Sequence, residues 1–342
     1  MKYYVAIACT LLFLAAGCAS SDGNGSTSGP FVGGSGGLAA SFAEAMPPPV
    51  VFDDAQGEFG IGIVLQNIGE SSIGPGTLNP YGHIEIIGIT PQNYGLFSQR
   101  DLFVTFAEAD VVLEPTRRID GRIIPGESTL VSFEGLTYVP NIFGDKTETI
   151  RANICYEYRT YAQGSVCIKD NLLELATDDS ICSLSGAKQV SSSAAPIQVR
   201  NLVQTPVGRD RIQVTFNVVN VGGGNVYQPY SLSGPADRSA ICSPSAGVNR
   251  ARDIIHARVT LGASNLGFDI SCQGFTGGNE GFVRMPQGSA TVTCTVNTRD
   301  VDAGRVAIEN FNIELFYTYM QFIQTPIVIR DTELGFVEPG LQ

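Results

Sequence analysis

The chain has 342 residues, with 33 acidic and 21 basic side chains, a net charge of −12 at pH 7 and no basic cluster. That balance argues against nucleic-acid binding, because neutralising phosphates takes concentrated Lys and Arg. Trp is absent, Gly and Pro are frequent, and Val, Ile, Thr, Tyr and Phe dominate the apolar runs, a composition that excludes a helical bundle and points to strands and turns.

Residues 1–17 open on Lys2 and continue as an apolar run from Tyr3 to Ala16 broken only by Thr10. The run is shorter than the about 20 apolar residues that cross a bilayer, and it has the length of a signal-peptide core. Leu14-Ala15-Ala16-Gly17-Cys18 resembles a lipobox, with its Leu one place early. The resemblance implies that Cys18 carries a diacylglycerol and becomes the N-terminus of a membrane-anchored, envelope-exposed protein. Plain secretion, with Cys18 incidental, is the competing reading. Residues 18–37 are Gly- and Ser-rich and read as a flexible spacer with a reach of roughly 20–25 Å.

From residue 38 the chain reads as two copies of one design. Phe59 to Gly69 (FGIGIVLQNIG) and Ile212 to Gly222 (IQVTFNVVNVG) both alternate apolar residues and end in Asn-x-Gly. Pro125-Gly126-Glu127-Ser128 and Pro286-Gln287-Gly288-Ser289 each precede an alternating strand. These two stretches stand 161 positions apart, as do Ile154–Tyr158 and Leu315–Tyr319, and Ile168-Lys169-Asp170 and Ile329-Arg330-Asp331. Each copy holds several short strands at turn-bounded spacing, the signature of a β-sandwich. The weak helical pattern at Asn171 to Thr177 is the one exception.

These motifs resemble CARDB-like and related immunoglobulin-like domains, which occur in tandem on prokaryotic surface proteins. The resemblance implies an all-β chain of two immunoglobulin-like sandwiches at 38–177 and 195–335, joined by a linker at 178–194 and ending in a tail at 336–342. It also implies an adhesive or scaffolding role and no catalytic residues.

Six cysteines follow the leader: Cys155, Cys167, Cys182, Cys242, Cys272 and Cys294. An even count in an exported chain points to disulfides. Cys155 and Cys167 align with Phe316 and Val328 of the second copy, so both are read as members of one closing hairpin and as partners. Alternation places Cys155 on the face opposite Tyr156 and Tyr158. Cys272 and Cys294 are expected to pair within the second sandwich, which leaves Cys182 for Cys242.

His83 and His256 each open a strand-like run, and their separation does not match the repeat offset. Ser185-Gly186-Ala187-Lys188 has an S-x-x-K string without its companion motifs. The acidic turns at Asp53, Asp54 and Glu58 and at Asp300 and Asp302 carry two readings, calcium ligation and solvated turns; no other cofactor is indicated. The function expected is non-enzymatic display of loops to a protein or glycan partner. The alternatives are a surface-filament subunit that assembles by strand addition, using the N-terminal segment or residues 332–342 as donor, and an all-β carbohydrate-active enzyme.

Overall fold

The computed structural model describes residues 29–169, 172, 181–238, 241–242, 250–262, 269–299 and 306–333. The first copy supplies β1 (Leu38–Phe42), β2 (Val50–Phe52), β3 (Phe59–Asn67), β4 (Gly82–Ile87), β5 (Phe103–Thr105), β6 (Arg117–Ile119), β7 (Arg122–Ile124), β8 (Ser128–Leu136) and β9 (Lys146–Lys169). After it come β10 (Gly186–Lys188), β11 (Val190–Ser192), β12 (Ile197–Pro206), β13 (Arg211–Asn220), β14 (Asn225–Tyr227), β15 (Ile254–Leu261), β16 (Ile270–Cys272), β17 (Glu280–Arg284), β18 (Ser289–Asn297) and β19 (Val306–Arg330). The expected all-β class holds.

The two copies share a sheet. β9 and β19, of 24 and 25 residues, pair antiparallel from Lys169↔Val306 to Lys146↔Ile329. At about 3.3 Å per residue this ladder runs roughly 80 Å. It forms the spine of a nine-stranded sheet in the order β17-β15-β19-β9-β4-β5, with β11 on β9 and with β14 and β2 on β19. Two smaller sheets, β1-β3-β8 and β10-β12-β13-β18-β16, cover one face of it. Alternation dictates that packing. Ile61, Ile63 and Leu65 of β3 meet Ile154 and Tyr156 of β9 in one continuous core, which also takes in Val214, Phe216 and Val218 of β13 with Leu315 and Tyr317 of β19.

The shared ladder has approximate two-fold symmetry. Glu157 pairs with Thr318, which stands 161 positions later, so the residue opposite Glu157 is its own counterpart in the other copy. Around this point four buried tyrosines, Tyr156, Tyr158, Tyr317 and Tyr319, make edge-on or tilted contacts with centroids 5.9–6.4 Å apart. Their hydroxyls explain the repeated Asn-x-Gly. In the first copy Asn67 Nδ2 donates to Ser71 O (2.9 Å), the Gly69 amide donates to Asn67 Oδ1 (3.1 Å), and the Ser71 amide donates to Tyr158 Oη (3.1 Å). In the second, Asn220 Nδ2 donates to Gly224 O (2.8 Å), the Gly222 amide to Asn220 Oδ1 (3.2 Å), and the Gly224 amide to Tyr319 Oη (2.6 Å).

Several expectations are corrected. Cys155 and Cys167 lie on one uninterrupted strand, far beyond the about 7 Å between Cα atoms that a disulfide tolerates. The bridges are Cys155–Cys242 and Cys167–Cys182, with Cα separations of 6.2 and 5.6 Å. Cys272–Cys294 forms as expected, between directly opposed residues of β16 and β18. The stretch read as a linker holds β10 and β11, each joined to a sheet. The end of the expected spacer is docked: the Val32, Gly33 and Ala194 amides donate to the Glu70 carboxylate at 2.7, 3.0 and 2.6 Å. One of the two expected donor segments is therefore engaged by its own chain in part.

The two Pro-containing turns differ. Gln287 and Gly288 adopt φ of 59° and 77°. Gly126 does not; there a Cβ would lie 2.1 Å from the Asn67 carbonyl oxygen, so close approach of backbone is what requires glycine. The helical pattern at 171–177 falls outside the described residues except for Leu172, as do Cys18 and the leader.

Candidate functional site

The face of the large sheet turned away from the two smaller sheets carries the odd-numbered side chains of β9 and the even-numbered ones of β19. Its centre is covered by the second copy. Tyr81 and Tyr230 occupy matching places, Tyr81 donating its amide to Glu157 Oε2 (3.3 Å) and Tyr230 to Thr318 Oγ1 (3.0 Å). Two residues after Tyr81 the first copy enters His83, whereas the second copy reaches His256 only after 24 further residues. His83 lies opposite Cys155 and His256 opposite Phe316, and those two positions are themselves 161 apart. The histidines are thus structural equivalents, and their unequal spacing records the insertion.

The insertion folds over β9 and β19. Cys242 bonds Cys155, and Tyr227, Ile241, Ala251 and Met320 complete a small second core. Beneath it, the buried Glu157 carboxylate accepts from the Ser231 amide and hydroxyl, both at 2.7 Å. Burial raises its pKa above the usual carboxylate value, against the opposing effect of those hydrogen bonds. His83, stacked on Phe103 at 4.7 Å with Nδ1 2.8 Å from Tyr81 Oη, is pushed down to about 4 by burial. Both are built into the packing.

Beside the covered centre the face is open. A row of alternating charge crosses four strands: Arg159 on β9, Glu314 on β19, Arg258 on β15 and Glu280 on β17. Arg159 pairs with Glu314, and Arg258 Nε meets Glu280 Oε2 at 2.7 Å, with Arg258 directly opposite both glutamates. The Arg159 guanidinium lies 3.9 Å over the Phe316 ring, and His256 meets Phe282 edge-on at 5.2 Å. Gln163 Nε2 donates to Asn312 Oδ1 at 2.9 Å, continuing the polar ladder. Tyr161, Thr260 and Phe31 join Gln163, Arg258, Asn312 and Glu314 around an open cleft of about 430 Å³. Burial lowers the His256 pKa, and burial with the Glu314 charge raises that of Tyr161. The site is a surface of planar side chains held in register by the sheet: aromatic rings, guanidinium groups, carboxylates and amides.

The sequence-predicted metal residues do not converge. Asp53 Oδ1 accepts from the Thr332 amide (2.9 Å) and hydroxyl (2.7 Å), and Oδ2 accepts from the Ile142 amide (3.0 Å). These donors lower its pKa and make it a clamp on the end of β19. Asp54 and Glu58 are exposed at the same turn. Among the described residues no group of three or more His, Cys, Asp or Glu side chains is placed to hold a metal ion. Asp300 and Asp302 lie outside the described residues. Arg159, Tyr161, Arg258 and Glu314 were not evident as site residues from sequence. The available signal was the alternation around Cys155, which puts Glu157, Arg159 and Tyr161 on one face.

No family model matches the chain, and no curated protein matches it. Three disulfides place the fold in an oxidising, extracytoplasmic compartment. Among the described residues no helix is long and apolar enough to cross a membrane.

Proposed function

We propose that this is a lipid-anchored, envelope-exposed protein whose two immunoglobulin-like halves share one large sheet, with a non-enzymatic binding role, and that the charged and aromatic row on that sheet holds a glycan or protein partner. The observation that carries this reading is the row itself. Arg159, Glu314, Arg258 and Glu280 are aligned across four strands before any ligand arrives, so little side-chain ordering is left to oppose binding. Aromatic faces with planar hydrogen-bonding groups suit sugar rings and peptide backbones alike. Cys18 supplies the anchor.

Two measurements test the reading. Mass analysis of the N-terminal peptide from the native membrane fraction should find Cys18 as a diacylglyceryl terminus; an unmodified, secreted chain would remove the anchor. Retention on an immobilised glycan and envelope-protein panel should fall at least tenfold in Tyr161→Ala and Arg258→Ala. Retention that both variants keep would place binding elsewhere.

A further inference from the structure

β6 and β7 form a hairpin that belongs to neither smaller sheet nor the large one. Its turn is Asp120-Gly121, both in the left-handed region with φ of 50° and 77°, as a two-residue hairpin requires. Every residue of both strands is exposed. Its three cross-strand pairs are Arg117↔Ile124, Arg118↔Ile123 and Ile119↔Arg122, each joining an arginine to an isoleucine. Ile119, Ile123 and Ile124 are 54, 57 and 47 % exposed, well beyond what a solvated turn needs. The hairpin gathers three arginines that the sequence spreads over six positions of a chain with net charge −12. The sandwich does not require it, since from His83 to Pro125 the first copy is 12 residues longer than the second is from the equivalent His256 to Pro286.

The position of the hairpin relative to the N-terminal chain is the second observation. The Arg118 guanidinium donates to the Gly29 carbonyl at 3.4 Å. Gly29 begins the described chain, and Glu70 fixes the residues just after it. Only 11 positions separate Gly29 from Cys18. Even fully extended, that many residues span no more than about 40 Å, so an anchor at Cys18 keeps the membrane within that distance of Gly29 and the hairpin beside it. We propose that the β6–β7 hairpin docks on the anionic phospholipid surface, its arginines at the headgroups and its isoleucines among the upper acyl chains. This placement rests on the lipid-anchor reading, whereas the hairpin's affinity for the surface does not. Arginine stems reach the headgroup level while apolar neighbours enter the interface. Arg117 is paired with Glu114 and Asp120 lies in the turn, so Arg118 and Arg122 carry the attraction, while charges more than about 8 Å away on the acidic body are screened at physiological salt.

The test uses residues 18–342 with Cys18→Ser, which has no acyl chain, in co-sedimentation with vesicles. It should bind vesicles containing phosphatidylglycerol and not pure phosphatidylcholine, and should be released by high salt. Arg122→Gln should lower the partition about fivefold, and Ile123→Asp should abolish it, with unchanged melting temperatures because both side chains are exposed. No sedimentation with anionic vesicles, or equal sedimentation of wild type and both variants, would overturn the proposal. A concentration-dependent dimer lost in Ile123→Asp, without vesicle binding, would also overturn it and assign the hairpin to a second copy of this chain. An unacylated Cys18 in the native protein would remove the anchor and leave the vesicle result standing.

Discussion

Tyr81 and Tyr230, counterparts in the two copies, stack face to face with ring centroids 3.5 Å apart and 4° from parallel. They close over the Glu157–Thr318 pair, and burial raises the Tyr81 pKa strongly. The midpoint of the long ladder is thus sealed on one face by this stack and on the other by the four buried tyrosines. The consequences concern stability more than chemistry.

Glu157 should set part of the pH dependence. Its folded-state pKa is raised, so between the unfolded value near 4.5 and the folded value the native state holds a proton that the unfolded state has released. Stability from this group is therefore present at low pH and declines as pH rises through that window. Glu157→Gln, which keeps an acceptor for the Ser231 amide, should flatten this decline; melting temperatures from pH 4.5 to 8 report it.

His83 acts in the opposite direction. With the folded value near 4 and the unfolded one near 6.5, the unfolded state binds the extra proton between them. Its contribution is intact above pH 6.5 and is lost as pH falls towards 4, by about 3 kcal/mol in all. His83→Phe should remove this acid-side loss in urea titrations, and NMR should show no His83 titration above pH 5.

The bridges should be unequal. Cys155–Cys242 closes 87 residues and Cys167–Cys182 closes 15. Loop entropy gives about 4–5 kcal/mol for the first and about 3 kcal/mol for the second. Paired Cys→Ala variants compared by denaturant unfolding should keep that order, and non-reducing peptide mapping should recover Cys155–Cys242, Cys167–Cys182 and Cys272–Cys294.

The repeated glycines should fail alike. A Cβ on Gly69 would lie 1.9 Å from Tyr158 Oη and 2.7 Å from the Ala194 carbonyl oxygen; on Gly222 it would lie 2.5 Å from Tyr319 Oη. Gly69→Ala should cost on the order of 3 kcal/mol and Gly222→Ala somewhat less, measured by thermal unfolding.

Strand alternation, the repeat and the directly opposed Cys272 and Cys294 were legible because each depends on local period and spacing. The shared sheet was not, and Gly164 shows why. It is the only glycine between Cys155 and Cys167, the two cysteines read as partners in one hairpin, and glycine is a residue that turns favour. In the fold Gly164 sits inside β9, where a Cβ would meet the Leu202 side chain at 2.3 Å. Close packing and turn formation ask for the same residue, and only the neighbour across the core distinguishes them. The charged row was hidden for a related reason: Arg159, Glu314, Arg258 and Glu280 come from four strands whose adjacency no spacing encodes.

The Glu157–Thr318 pairing also bears on how such a chain can arise. Had the two halves been separate, identical molecules joined along the same strand, the residue on the axis would face a copy of itself. Two glutamates would then share one dry pocket, and like charges at that distance cannot both ionise. Joining the halves in one polypeptide lifts that restriction. One position keeps the acid that grips Ser231, its twin becomes a threonine that receives the Tyr230 amide, and each half is free to acquire what the other lacks.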